Sequence, residues 1–273
     1  MKLNVSIVTY HTDATELHTC LACLLGSTAV SRVDIIDNGR EERLRQLAES
    51  YRTPRLTYTP ADNRGYGAGN NISLRRSLEE KADYHLVMNS DVYFKPDTIE
   101  KCLAYMDTHP ECGQLIPRTV FPDGSYQPVC HPLPSPMDLL KHRFLPRKFG
   151  RRWRDSYEMR DIRLTEPLNV PYHHGCFMLF RTQALRDVGL FDECFFMYPE
   201  DIDITRRVHE RYETVYFPGA EIVHAHRADS RRNYRMLWIH ASNMLRYFRK
   251  WGFVFDKKRR RANEALRRRI QKL

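Results

Sequence analysis

Residues 3–120 alternate short apolar runs with helix-length amphipathic segments, a rhythm that leaves few folds open. The run LNVSIVT at 3–9 has the length of a buried strand. A helical pattern follows from Thr12 or Asp13 to Leu25, with Gly26 as its stop. Strands expected at 33–36, 56–58, 84–88 and 113–120 interleave with helices expected at 41–50, 67–78 and 96–108. Repeated strand–helix alternation predicts an α/β protein with a mainly parallel sheet and helices on both faces. Ligands of such sheets bind outside the carboxyl ends of the strands. Tyr10, Asp37 and Asp91 all fall at those ends.

Beyond Val120 the rhythm breaks. Residues 122–136 hold five prolines, and 141–154 form a basic stretch containing Phe144, Phe149 and Trp153. This predicts an irregular, mobile insertion serving as a lid or docking surface. Regular structure is expected again in a strand at 175–180, a helix at 182–187, a helix starting near Pro199, and strands at 214–217 and 221–226.

Residues 189–203, GLFDECFFMYPEDID, set Glu200, Asp201 and Asp203 behind an aromatic run and Pro199. Proline suits the first helical position, so these carboxylates are expected in the first turn. Acidic residues favour that place through the backbone dipole alone. The alternative is a carboxylate that the dipole keeps ionised, ready to take a proton from a hydroxyl.

Other motifs admit two readings each. NRGYGAGNN at 63–71 has glycines at alternate positions before a helix, either a flexible turn or a loop whose amides approach a phosphate. Asp91 in MNSDV either ligates a hard divalent cation or caps a turn. His224 and His226 are two apart on an expected strand and so share a face, as surface residues or with one of them on a metal. Asp37 and Asn38 suit a base edge or ribose, or an ordinary turn.

The seven cysteines are scattered, and Cys20 and Cys23 sit in an apolar helical pattern, which predicts a reducing, cytoplasmic setting. No run reaches the roughly eighteen apolar residues of a membrane span, and no cleavage-site pattern predicts a signal peptide. Net charge is +10, yet residues 227–273 carry 16 Lys and Arg against 3 Asp and Glu. A near-neutral body with a basic tail points to a tethering surface and away from a charged groove.

Taken in order, SIVTYH, IIDNG, NRGYGAGNN, LVMNSDV, GCFMLFR, VGLFDECFFMYPEDID and IVHAH resemble the family-2 glycosyltransferases of GT-A fold. The likeness is greatest to bacterial rhamnosyltransferase-like and galactofuranosyltransferase-like members, over residues 3–250. It implies an inverting transfer from a nucleotide-activated sugar, dTDP-rhamnose first, then a UDP-hexose or UDP-galactofuranose. The acceptor implied is a hydroxyl of a glycan or polyprenyl-diphosphate-linked saccharide in cell-surface polysaccharide synthesis. By that pattern Thr9, Tyr10, Asp37 and Asn38 contact the nucleoside, and Arg64, Gly65, Gly67 and Asn70 lie along ribose and diphosphate. Asn89 and Asp91 stand at the D-x-D-type motif, whose first position here is Asn. Asp91 and His224 hold Mn²⁺ or Mg²⁺, with His226 replacing His224 in the alternative register. Asp201 is the base, and Glu200 its neighbour on the acceptor side.

The implied organisation is a catalytic domain at 1–226, comprising a nucleotide-sugar half at 1–120, the insertion at 121–174 and an acceptor half at 175–226. A basic amphipathic helical tail follows at 227–273, expected as one helix over 231–253. The tail packs on the catalytic domain or meets anionic headgroups at the inner face of the plasma membrane. A nucleotidyltransferase is the rival enzyme, but it calls for a glycine-rich basic loop after the first strand, which SIVTYHTD lacks. A noncatalytic sugar-nucleotide binder is a further alternative. Nucleic-acid binding through the tail leaves the acidic and histidine positions unexplained, so no nucleic-acid partner is expected.

Overall fold

The first apolar run, β1 (Leu3–Thr9), lies inside a nine-stranded sheet. It pairs in parallel with β2 (Val30–Asp37) and β4 (Tyr84–Met88), and β2 in turn with β3 (Leu56–Pro60). The computed structural model describes residues 1–144, 147–160, 164–225 and 234–272. The crossovers are α1 (Ala14–Gly26), α2 (Glu42–Ser50) and α3 (Tyr66–Glu79). Asp13 caps α1 by accepting from the Thr15 and Glu16 amides.

After β4 the chain forms β5 (Val92–Phe94), α4 (Thr98–Thr108) and β6 (Cys112–Val120). The insertion holds β7 (Cys130–His131), α5 (Pro136–Phe144), α6 (Arg147–Tyr157), β8 (Leu168–Asn169) and β9 (Tyr172–His173). Two helices thus replace the irregular segment expected there; four of the five clustered prolines precede α5 and the fifth, Pro136, is its first residue, a position where proline does not interrupt a helix. Then come β10 (Phe177–Arg181), α7 (Thr182–Val188), α8 (Glu200–His209) and β11 (Glu213–His224). Strand order is β3-β2-β1-β4-β10-β6-β11-β5, with β8 also on β11. β10 runs antiparallel between β4 and β6, and β5 antiparallel to β11, so the sheet is mixed beyond its parallel half. The two strands expected at 214–217 and 221–226 are one strand, β11, whose register shifts between Phe217 and Glu221 around Pro218 and Gly219.

Strand alternation sorts two cores. Leu86 and Met88 of β4 face the larger one with Leu17, Leu21 and Leu24 of α1. Val87 faces the other, with Leu74 of α3 and Ile204 and Val208 of α8. Asn4 and Ser6 interrupt β1 on the α3 side, where Asn4 donates to Ser77, and Ser6 to Asn70 at 2.6 Å. α8, bearing the acidic triplet, is therefore pressed onto the sheet by its apolar side.

The C-terminal extension is two helices, α9 (Tyr234–Trp251) and α10 (Lys257–Ile270), with Gly252 at φ 101° in the bend and Asp256 capping α10. Met244, Tyr247 and Phe248 of α9 bury against Phe195, Ile202 and Leu133. Leu266 of α10 joins the larger core.

Candidate active site

The turn after β4 and the end of β11 meet. Val92 pairs with His224 across the β5–β11 ladder, and the Ala225 amide donates to the Asp91 carbonyl at 3.0 Å. Nε2 of His224 then lies 3.3 Å from Oδ1 of Asp91. Burial pushes the His224 pKa down, but the adjoining Cys176 and Asp91 outweigh it, and the pKa is raised to about 10. His226 lies outside the described residues.

Gln127 sits on the other side of the ring. Its Nε2 is 3.0 Å from Nδ1 of His224, while its buried Oε1 has no partner. Rotating the amide by half a turn sets that orphan oxygen to accept from Nδ1–H, so that Nε2, which shares a proton with Asp91, is the nitrogen that would ligate a cation on losing it. A divalent cation therefore fits here, with Asp91 and His224 as the protein's contribution. Among the described residues no group of three or more His, Cys, Asp and Glu is arranged as a full metal cage, so other ligands must complete the shell.

The second arm of the site comes from α8. The helix starts at Glu200, with Pro199 just outside it, one residue later than expected. Oδ2 of Asp201 accepts the Gly175 amide at 3.1 Å, and Oδ1 accepts the Ile202 amide at 2.8 Å. Gly175 also offers its carbonyl to the Tyr66 hydroxyl at 2.8 Å, and that hydroxyl reaches Oδ1 of Asn89 at 3.0 Å. The Asn89 amide donates to the Cys176 carbonyl at 3.0 Å. Residues 175–176 and Tyr66 thus tie the α8 carboxylates to the turn that carries Asp91.

Electrostatics in this arm differ from the sequence expectation. The helix dipole alone would hold Asp201 below the usual carboxylate range. Burial raises it instead, and the Ile202 and Gly175 amides pull it only part of the way back. Glu200 is raised further, by burial and then by the charge of Asp201, and its Oε2 has no protein partner. Glu200 is buried whereas Asp201 is only half-buried. Asp203, the third carboxylate, is fully buried and accepts from Trp251 Nε1 at 2.7 Å and Arg207 Nε at 2.9 Å. It anchors α8 to α9.

Residues expected along the donor divide into two sets. Tyr10, just past the end of β1, is 56% exposed, with its ring 4.2 Å from that of His11 and tilted against it by 52°. Asn38 is buried, with Nδ2 near Asn63 and the Gly65 carbonyl. Arg64 is exposed and lies 3.4 Å from Glu193.

Thr9, Asp37 and Asn70 are fully buried. Asp37 accepts from Thr9, Gly39, Glu41 and Tyr58, which fills its carboxylate with turn contacts. Asn70 is spent on Ser6 and the Tyr66 carbonyl. All three are hydrogen-bonded into the framework of the fold.

The glycines also serve close packing within the chain. At Gly65, φ is 103° and an added Cβ would sit 2.0 Å from the Phe196 carbonyl oxygen; at Gly67 it would meet Phe191 at 2.9 Å. They allow the 63–71 loop to pack on the segment before α8, and the Tyr66 amide donates to Phe196 O at 3.0 Å. Sequence reasoning missed Gln127, Tyr66 and the contacts between α8 and the extension. Arg206 of α8 is 2% exposed, pairs with Asp256 at 2.7 Å, and lies 4.0 Å from the Trp251 ring. No local pattern marks such partners.

Comparison with known proteins bears on the family and the fold. Residues 5–189 match the model of Glycosyl transferase family 2. N-acetylglucosaminyl-diphospho-decaprenol L-rhamnosyltransferase of Mycobacterium tuberculosis is 33% identical over 241 residues, covering 84% of this chain and 77% of that protein. TarS 1–349 of S. aureus superposes with a TM-score of 0.56 at 17% identity, over 82% of this chain and 60% of its own. The mannosyltransferase PcManGT of Pyrobaculum calidifontis, solved with GDP-Man and Mn²⁺, gives 0.57 at 16% identity, over 89% and 64%. The chain thus spans less than two thirds of either solved structure. With a helix-flanked sheet and carboxylates at its strand ends, it belongs to glycosyl transferase family 2, is rhamnosyltransferase-like, and has the GT-A fold.

Proposed function

We propose that the protein transfers a sugar, with inversion, from a nucleotide-diphosphate donor to a hydroxyl of a lipid-diphosphate-linked saccharide in cell-wall glycan synthesis. dTDP-rhamnose is the first donor to test, followed by UDP-hexoses and UDP-galactofuranose. Support for rhamnose and for a diphospho-lipid acceptor comes from the mycobacterial relative, whose name specifies both. The observation that carries the reading is the tie between the two arms: Asp91 with His224, and Asp201 fixed to Gly175, joined through Tyr66 and Asn89.

Asp91 and His224 would hold a divalent cation, Mn²⁺ before Mg²⁺ because one ligand is an imidazole. Such an ion offsets the charge of the departing diphosphate. Tyr10 stacks on the base, and Arg64 lies along the diphosphate. Asp201, oriented by the Gly175 and Ile202 amides, removes the acceptor proton on the face opposite the leaving group. Glu200 keeps its proton near neutrality because burial disfavours its anion, which makes it a donor toward the incoming acceptor.

A basic, membrane-facing extension belongs to the same reading. No helix among the described residues is long and apolar enough to cross a membrane. Phe253, Val254 and Phe255 are exposed beside the cations of α10, a pairing that suits an anionic lipid surface. The test is a panel of nucleotide sugars with Mn²⁺ and a polyprenyl-diphosphate N-acetylglucosamine acceptor, reading released nucleoside diphosphate. Acceptor-dependent release from one donor supports the reading; no release from any of them overturns it.

A further inference from the structure

Two cavities adjoin on the inner side of α10, and none of the residues of the candidate active site lines either. One, of about 350 Å³, is bordered by Lys141 of α5 and by Arg259, Arg260, Asn263 and Arg267 of α10. Asp138 and Glu264 also border it, leaving an excess of positive charge. The other, of about 280 Å³, is bordered by Trp153 and Tyr157 of α6, Met159, and Leu266 and Ile270 of α10. Asp138, Asn263 and Arg267 line both. A cationic chamber and an aromatic, aliphatic one therefore share a wall.

Arg259 is the second observation. It is 6% exposed, yet its guanidinium Nη1 has no hydrogen-bond partner. A buried guanidinium nitrogen without an acceptor is costly, and a phosphate oxygen is the acceptor whose geometry suits it. Neither Asp138 nor Glu264 supplies that acceptor, since Nη1 has no partner, and Oδ2 of Asp138 is committed to the Ser135 amide and hydroxyl at 2.9 and 2.6 Å. The wall is built, since Asn263 exchanges hydrogen bonds with the Leu133 backbone at 2.8 and 2.9 Å, fixing α10 against the segment before α5.

We infer that these paired cavities bind a lipid phosphate, the phosphate head among Lys141, Arg259, Arg260 and Arg267 and the hydrocarbon chain along Trp153, Tyr157 and Leu266. Head and chain are recognised by separate chemistry, so an amphiphile carrying both binds more tightly than either part. This inference concerns a site separate from the proposed transfer and stands or falls without it.

Full-length protein is titrated, in chelator, with dodecyl phosphate below its micelle concentration, with pyrophosphate, and with dodecyl maltoside, following tryptophan fluorescence and calorimetry. Dodecyl phosphate is expected to bind at least about tenfold more tightly than the other two probes. The paired exposed changes Arg260→Gln and Arg267→Gln should weaken it about tenfold at unchanged Tm. Trp153→Phe should abolish most of the fluorescence change. Equal binding of dodecyl maltoside, or affinity indifferent to the arginine changes, overturns the inference. Pyrophosphate binding as tightly as dodecyl phosphate overturns it too, by reducing the site to one for a free anion. Because nothing here reads sugar transfer, failure of this site and failure of the proposed activity are separately visible.

Discussion

Nε2 of His224 and Oδ1 of Asp91 lie 3.3 Å apart, although one closes the last strand of the sheet and the other follows its fourth. Gln127, from the segment after β6, backs the ring at 3.0 Å. If that contact fixes the tautomer, Gln127→Leu should weaken Mn²⁺ affinity about 10- to 100-fold. Titration with Mn²⁺ by electron paramagnetic resonance measures this directly. Because Nε2 must lose its proton to ligate, and its pKa is raised, affinity should also fall as pH falls.

The Glu200–Asp201 pair sets the pH response. Both groups hold protons more tightly in the folded chain than in an unfolded one. Their contribution to stability is therefore full at low pH and is lost as pH rises through the folded values. Tm should decline over about pH 4 to 8, from the ordinary carboxylate values up to the folded ones, and Glu200→Gln, which stays neutral, should flatten that decline. In the proposed transfer Asp201 acts as the anion, so turnover should drop on the acid side at a pH above the ordinary carboxylate range. Glu200 is still protonated at that step, and Glu200→Gln should leave the limb in place. Circular dichroism melts and pH–rate profiles separate the two effects.

The extension is predicted to be needed for stability. Arg206 and Asp256 are both nearly inaccessible, with side chains 2% and 3% exposed. Removing only the carboxylate strands the guanidinium, and Asp256→Ala should cost about 3–5 kcal/mol. Replacing both partners, with Arg206→Met and Asp256→Leu, should recover much of that loss. Denaturant unfolding of the two variants provides the comparison. Truncation after Phe255 removes Asp256 and so tests folding as well as membrane contact.

Gly65→Ala places a Cβ 2.0 Å from a backbone carbonyl at a positive φ, and neither clash can relax without moving the loop before α8. About 1–3 kcal/mol of stability should be lost, together with activity. Thermal melts and turnover at a permissive temperature check it. Gly124→Ala is the control, because an added Cβ there meets nothing within 4 Å at a similarly positive φ.

The parallel half of the sheet was readable because short strand-length segments rich in apolar residues alternate there with helix-length amphipathic ones. The 84–88 strand has the expected boundaries. The insertion was not readable, since prolines and basic residues say where a helix is interrupted but not where α5 and α6 resume. The ends of the site, Asp91, Asp201 and His224, were marked by residue type at strand and helix ends. Their partners were not: Gln127, Tyr66 and Arg206 act through contacts distant in sequence, which no local period encodes. The same holds for the partners of Asp37 and Asn70, since Thr9, Tyr58 and Ser6 are distant from them in sequence.

The most direct test is the single-turnover rate of sugar transfer by Asp201→Asn at saturating donor and acceptor, measured with donor Kd and Tm. If Asp201 takes the acceptor proton, the rate should fall at least about a hundredfold, with donor Kd changed by less than about threefold and the fold intact. A variant that folds, binds donor and keeps more than about a tenth of the wild-type rate would contradict the role given to Asp201.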